Sequence, residues 1–179
     1  MILDVAATRA RLTPDAPALL WQGRWLTYAE LDDRAERLAA ALRAAGVGKG
    51  DRVALLAHNH VAHVDMILAT AKTGAVYTPL NVRLAEREQR ELAAYLRPAL
   101  VMHDDDNAAK AAATGVRTWD LGEHEARLAA AEPAPRAPGY DAVVGPEDVQ
   151  MILLTGGTTG LPKGAMLPYR QGFYNAVNT

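Results

Sequence analysis

Residues 155–164 read Thr-Gly-Gly-Thr-Thr-Gly-Leu-Pro-Lys-Gly. Four glycines in ten residues let the backbone turn tightly and aim several N–H groups at one anion. Thr155, Thr158 and Thr159 add hydroxyl donors, and Lys163 adds a full positive charge. Such a collection suits a polyphosphate. The same residues also describe an ordinary glycine-rich hairpin loop with a surface lysine. The segment is not a Walker A loop, which needs glycine directly before its lysine, where Pro162 stands here. Nor does it match G-x-G-x-x-G.

Other groups compete less well for a chemical role. His58, His60 and His63, with Asp65 nearby, have metal-ligand spacing. A strand-to-helix junction carrying surface histidines accounts for them equally, and no metal site is assigned. Asp104, Asp105 and Asp106 could hold Mg²⁺, but an acidic run before a helical segment more simply stabilises the helix N-terminus. Trp21, Trp25 and Trp119 read as core packing rather than a ligand pocket. Asp32 and Asp33 are adjacent, so they do not share a helix face, and they read as solvated surface.

The surrounding sequence supplies elements to hold the loop. Ala18–Trp21 and Trp25–Thr27 flank Gln22-Gly23 as a hairpin. Thr27-Tyr28-Ala29-Glu30 is a capping box, followed by an apolar stripe at Leu31, Ala35, Leu38 and Leu42 that stops at Gly46. Val53–Ala57 is an unbroken apolar run, as in a strand buried on both faces. A helical stripe over Val61–Ala71, a strand at Ala75–Thr78, a charged helix over Leu84–Leu96 and a strand at Ala99–Met102 follow. Helices at Asp105–Ala113 and Gly122–Ala131 flank a short strand at Val116–Trp119. This alternation predicts an α/β fold with a mainly parallel sheet and flanking helices. Residues 132–146 hold four prolines and two glycines and read as a linker or long loop. The apolar strand Val149–Leu154 then runs directly into Thr155, and Ala165–Leu167 returns as a strand.

Composition sets outer limits. The chain has 179 residues, half of them hydrophobic, with a net charge of −2, which does not suit a nucleic-acid binder working by bulk electrostatics. With no cysteine, thiol nucleophiles and Cys-ligated metals are excluded, and a reducing, cytoplasmic setting is expected. No apolar run is long enough to span a membrane.

Leu154–Gly164, LTGGTTGLPKG, resembles the phosphate-loop signature of the AMP-forming acyl-CoA synthetases, the adenylate-forming family that also includes luciferases and peptide-synthetase adenylation domains. Leu26–Leu31 resembles the family's early L-[TS]-Y-x-E-L, and Ala71–Asn81 its K-x-G-x-x-Y-x-P-L-[ND]. Gly46–Val53 is similar to its usual turn-to-strand segment. The resemblance runs from about Thr13 to the end of the sequence.

It implies that residues 1–179 are part of the large N-terminal, AMP-binding domain. It implies ATP-dependent conversion of a carboxylic acid to an acyl-adenylate and then an acyl-CoA, with ATP, Mg²⁺ and coenzyme A as partners. Thr155, Gly156, Gly157, Thr158, Thr159, Gly160 and Lys163 would bind the nucleotide, and Lys163 would act in catalysis. Gly156 replaces the family's usual serine, as in some fatty-acyl members, which implies a fatty acid substrate. Pro168-Tyr169-Arg170 replaces the frequent [ST]-H-[RK], so no histidine role carries over there. The adenine, ribose and acidic Mg²⁺ segments and the small C-terminal domain are expected to follow Thr179 in a longer protein. The 179-residue chain alone is then expected to be inactive and to self-associate. An amino-acid or other carboxylate adenylation domain, or a non-catalytic self-associating fragment, is the alternative.

Overall fold

The computed structural model describes residues 3–133, 144–155 and 162–178. A short helix, α1 (Val5–Leu12), is capped by Asp4, whose Oδ1 accepts the Ala7 amide at 2.9 Å. The hairpin β1 (Pro17–Trp21) and β2 (Arg24–Thr27) turns at Gln22 and Gly23. Both turn residues have positive φ, 47° and 78°, the geometry that matches the twist of paired strands. Thr27 then opens α2 (Tyr28–Ala44). Its hydroxyl accepts the Glu30 amide at 3.2 Å, and Glu30 Oε2 accepts the Thr27 amide at 2.7 Å.

The main sheet follows from alternation. In chain order come β3 (Arg52–Leu56), α3 (Ala62–Thr73), β4 (Val76–Pro79), α4 (Glu86–Leu96), β5 (Leu100–His103), α5 (Ala108–Ala113), β6 (Thr118–Asp120), α6 (His124–Ala130), β7 (Val149–Thr155), β8 (Lys163–Pro168) and α7 (Tyr169–Val177). The strand order is β6-β5-β3-β4-β7-β8. Every pairing from β6 across to β7 is parallel, and only β8 runs antiparallel, against β7. Val53–Ala57 and Ala75–Thr78 are adjacent in the sheet interior, as their apolar runs require.

Two cores share the sheet. On one face Leu38 and Leu42 of α2, Ala62, Met66 and Ala69 of α3, and Leu128 of α6 pack on Val53, Leu55, Tyr77, Leu100 and Met102. On the other, Leu92 and Leu96 of α4 and Ala111 of α5 pack on Ala54, Leu56 and Val101. β3 alternates its side chains between these cores, which is why its sequence is apolar without interruption. Of the proline-rich stretch, residues 134–143 lie outside the described residues. Val144 at its end is buried against Ala71 and Tyr169.

Two readings of the sequence change. Asp32 is not solvated: it is 4% exposed and accepts from Lys72 Nζ at 2.7 Å. Lys72 is wholly buried, and its ammonium also donates to Asp4 Oδ2 at 2.9 Å and Glu36 Oε1 at 3.0 Å. Burial pushes this ammonium down, but Asp4 and Asp32 more than offset that and hold its pKa above the ordinary lysine value. The three carboxylates tie α1 and α2 to the end of α3. Asp33, in contrast, is exposed and pairs with Arg37 along the helix surface. Trp25 is not core either, being 57% exposed, whereas Trp21 and Trp119 are partly buried against apolar clusters.

Removing the shared cation leaves buried carboxylates without compensation. Lys72→Met is expected to lower unfolding free energy by about 3–5 kcal/mol in urea denaturation. A loss below about 1 kcal/mol would show that the ammonium is not the tie.

Candidate functional site

Because β3, β4, β5, β6 and β7 run the same way, their carboxyl ends gather at one edge of the sheet. The connections leaving that edge diverge. The helix after β3 lies on the face shared with α2 and α6, while those after β4 and β5 lie on the opposite face. Such a divergence at the carboxyl ends is where open α/β sheets place ligands.

The glycine-rich connection leaves the same edge. Thr155 ends β7 and Lys163 begins β8, and the two are cross-strand partners. The Thr155 hydroxyl donates to the Lys163 carbonyl at 3.2 Å. Both residues are exposed to solvent. Gly156, Gly157, Thr158, Thr159 and Gly160 lie outside the described residues. The first and last residues of the predicted nucleotide set are therefore brought together. Gly164 beside them is required by close approach: a Cβ there would sit 2.9 Å from Ile152 Cγ2, with the Tyr95 ring at 3.9 Å.

The neighbouring β3–α3 connection is built from hydrogen-bonded histidines. The His58 amide donates to Asp104 Oδ2 at 2.7 Å. Burial pushes Asp104 up, but the His58 and Asn107 donors outweigh it and hold this carboxyl below its ordinary value. His63 uses Nε2 on the His58 carbonyl at 3.1 Å and Nδ1 on the Tyr77 hydroxyl. Because a carbonyl only accepts, His63 Nε2 carries the proton and Nδ1 accepts from Tyr77. Burial pushes the Tyr77 phenol up, which keeps it a donor. His60 Nδ1 accepts the Ala62 amide at 3.1 Å. The three histidines thus serve the backbone and one another's supports; His58 is surface-exposed as expected, while His60 and His63 are half-buried. Asp104 caps the turn at Asp105–Asn107, accepting the Asn107 amide at 3.1 Å, as an acidic helix start should.

Sequence reasoning did not single out a charged network beside this connection. Arg34 donates to both oxygens of the fully buried Asp65, at 3.0 and 2.7 Å, and to both of Glu125, at 2.8 and 2.7 Å. His124 Nε2 lies 2.8 Å from Asp65 Oδ2. The Arg34 hydrogen bond holds Glu125 below the ordinary glutamate value against partial burial. The only sequence signal was an acid, Asp65, beside the apolar run Met66–Ala69 of α3.

A parallel α/β sheet with a glycine-rich hairpin at its carboxyl edge is the class these features define. The AMP-binding enzyme family matches residues 6–179, and the chain belongs to that family. Feruloyl-CoA synthase of Amycolatopsis sp is 41% identical over 170 residues, covering 95% of this chain and 34% of that protein. The indoleacetate–CoA ligase of Aromatoleum aromaticum is 36% identical, covering 95% of this chain and 35% of that protein. Among solved structures, a fatty acyl CoA synthetase of Mycobacterium tuberculosis superposes with a TM-score of 0.79 at 30% identity, over 92% of this chain and 34% of that one. The chain therefore spans about a third of the length of these two curated relatives. The family resemblance and the predicted fold class are both borne out. Among the described residues no helix is long and apolar enough to cross a membrane.

Gly164→Ala is expected to cost about 1–3 kcal/mol by overpacking against Ile152. Combining it with Ile152→Ala, which removes the opposing methyl, should cost less than the sum of the two single changes in a denaturation double-mutant cycle. Strict additivity would remove the close contact as the reason for glycine.

Proposed function

We propose that the hairpin from Thr155 to Lys163 gathers the phosphates of ATP in an enzyme that activates a carboxylic acid. The observation that carries this reading is the pairing of Thr155 with Lys163 at the carboxyl edge, where the parallel sheet directs its connections. Family membership supports the same chemistry. An oxygen of the substrate carboxylate attacks the α-phosphorus of MgATP. The bond from that phosphorus to the bridging oxygen breaks, and pyrophosphate leaves with the electron pair. The thiol of coenzyme A then adds to the acyl carbon, loses its proton and displaces AMP.

The difficulty in the first step is an anion approaching a polyanion. Backbone N–H groups of Gly156, Gly157 and Gly160, hydroxyls of Thr155, Thr158 and Thr159, and the ammonium of Lys163 would offset that repulsion. These contacts tighten as charge collects on the departing pyrophosphate, so they act on rate more than on ground-state binding. The substrate we assign is a hydrophobic carboxylic acid. Gly156 suits a fatty acid, while the names of two relatives, feruloyl-CoA synthase and indoleacetate–CoA ligase, favour an aromatic acid.

The activity belongs to a longer protein in which these residues form part of the nucleotide-binding domain; the 179-residue chain alone carries no ligase activity. It self-associates through exposed Met166, Tyr174 and Val177 and the outer edge of β8. A cysteine-free chain needs no oxidising compartment, which supports a cytoplasmic setting.

ATP–pyrophosphate exchange in the longer protein, with panels of fatty, aromatic and amino acids, tests the reading. Lys163→Ala is expected to lower exchange by about 10²–10³ without a matching rise in the KM for the acid. Thr158→Ala should act the same way and less strongly, because a neutral donor is worth about half a charged one. An unimpaired Lys163→Ala enzyme would remove the hairpin from the mechanism. Exchange with amino acids alone would replace the hydrophobic-acid assignment. Exchange by the 179-residue chain would overturn its inactivity.

A further inference from the structure

The start of α3 has an unusual acceptor. Ala62 is the first residue of that helix, and its amide is one of the donors that a helix leaves without an internal partner. Val61, at the cap position, offers no side-chain acceptor. His60 supplies one instead, through Nδ1 at 3.1 Å. A backbone amide can only donate, so Nδ1 of His60 must carry a lone pair, and any ring proton must sit on Nε2. The His60 ring also stands between two others. The Trp21 ring of the β1–β2 hairpin meets it edge-on at 5.5 Å, and the His124 ring of α6 at 6.0 Å. One imidazole therefore joins the start of α3, the hairpin and α6.

We propose that His60 is a proton-operated anchor: its neutral ring holds α3, the hairpin and α6 together at the carboxyl edge, and protonation releases them.

Protonation places a second N–H against the Ala62 amide and turns a hydrogen bond into a repulsion. It also sets a positive charge at a helix N-terminus, where the macrodipole is already positive. The charged groups facing His60 come from several elements. His63 and Asp65 lie on α3, and His124 and Glu125 on α6, with Arg34 of α2 bonded to both carboxylates. Asp65 and Glu125 favour a charged ring, but both are engaged by Arg34, and Asp65 also by His124. Partial burial comes first, and His124 second, in holding His60 below the ordinary histidine value. His124 is itself 1% exposed, with Nε2 on Asp65 and Nδ1 buried without a hydrogen-bond partner among the described residues.

The sign follows from linkage. A histidine with a depressed folded pKa contributes stability that is complete above its unfolded pKa of about 6.5 and is lost as pH falls toward the folded value. Across that window His60 alone makes the unfolding constant rise about tenfold per pH unit. The test uses the 179-residue chain. Imidazole ¹⁵N spectra at pH 7.5 should show His60 protonated at Nε2 and free at Nδ1. Urea unfolding from pH 7.5 to 5 should then be compared between the wild-type chain and His60→Asn, whose amide oxygen can accept from Ala62 but cannot take a proton. The variant's acid slope should be shallower by about one proton, and its tryptophan emission should lose the acid-dependent change that a charged ring beside Trp21 imposes. Should the variant fail to fold, the wild-type spectra decide the matter. A proton on Nδ1 at pH 7.5, a His60 pKa at or above about 6.5, or coincident acid slopes would overturn the proposal.

Discussion

A parallel strand cannot turn back directly; it must cross a face of the sheet before it can pair again. That constraint organises this molecule. Five strands accept it, with helices packed on both faces, and so bring their carboxyl ends to one edge. β8 escapes it by returning antiparallel from β7, and the escape places Thr155 and Lys163 side by side at that edge. The glycine-rich connection is thereby held at two fixed points set by strand register. Gly164, pressed against Ile152 and under Tyr95, keeps the second point close to the sheet.

The two edges are secured by different physics. Toward the end of α3, the wholly buried Lys72 gathers Asp4, Asp32 and the partly buried Glu36 in an ion cluster, and α1 is fastened to the domain through it. At the carboxyl edge the ties are directional hydrogen bonds: His58 to Asp104, His63 to Tyr77, and His60 to the first amide of α3. Directional bonds fix where a loop sits at modest energetic cost. They also depend on protonation state, whereas Lys72 keeps its charge over the physiological range.

Elements with local causes were legible in the sequence. The Thr27 capping box, the Gln22-Gly23 turn and the uninterrupted Val53–Ala57 run each carry their explanation within a few residues, and each forms as expected. The three spaced motifs were enough to identify the family, and the glycine-rich run between two apolar segments was enough to expect a loop joining two strands. What escaped were long-range charges. Asp32 looked solvated because its partner Lys72 is forty positions away on another helix. His124 and Arg34 were invisible for the same reason, since only packing brings them to Asp65. Trp25 was assigned to the core on size alone, yet the hairpin presents it outward.

The central claim is that the carboxyl-edge hairpin receives phosphate groups. Titrating the ¹⁵N-labelled 179-residue chain with magnesium pyrophosphate and following backbone amides tests it most directly. The account predicts the largest shifts at Thr155, Lys163 and the glycines between them, smaller ones in the adjoining β3–α3 connection, and none at Gly50 or Gly74 on the opposite edge. Shifts confined to that opposite edge, or none at the hairpin at saturating ligand, would contradict it.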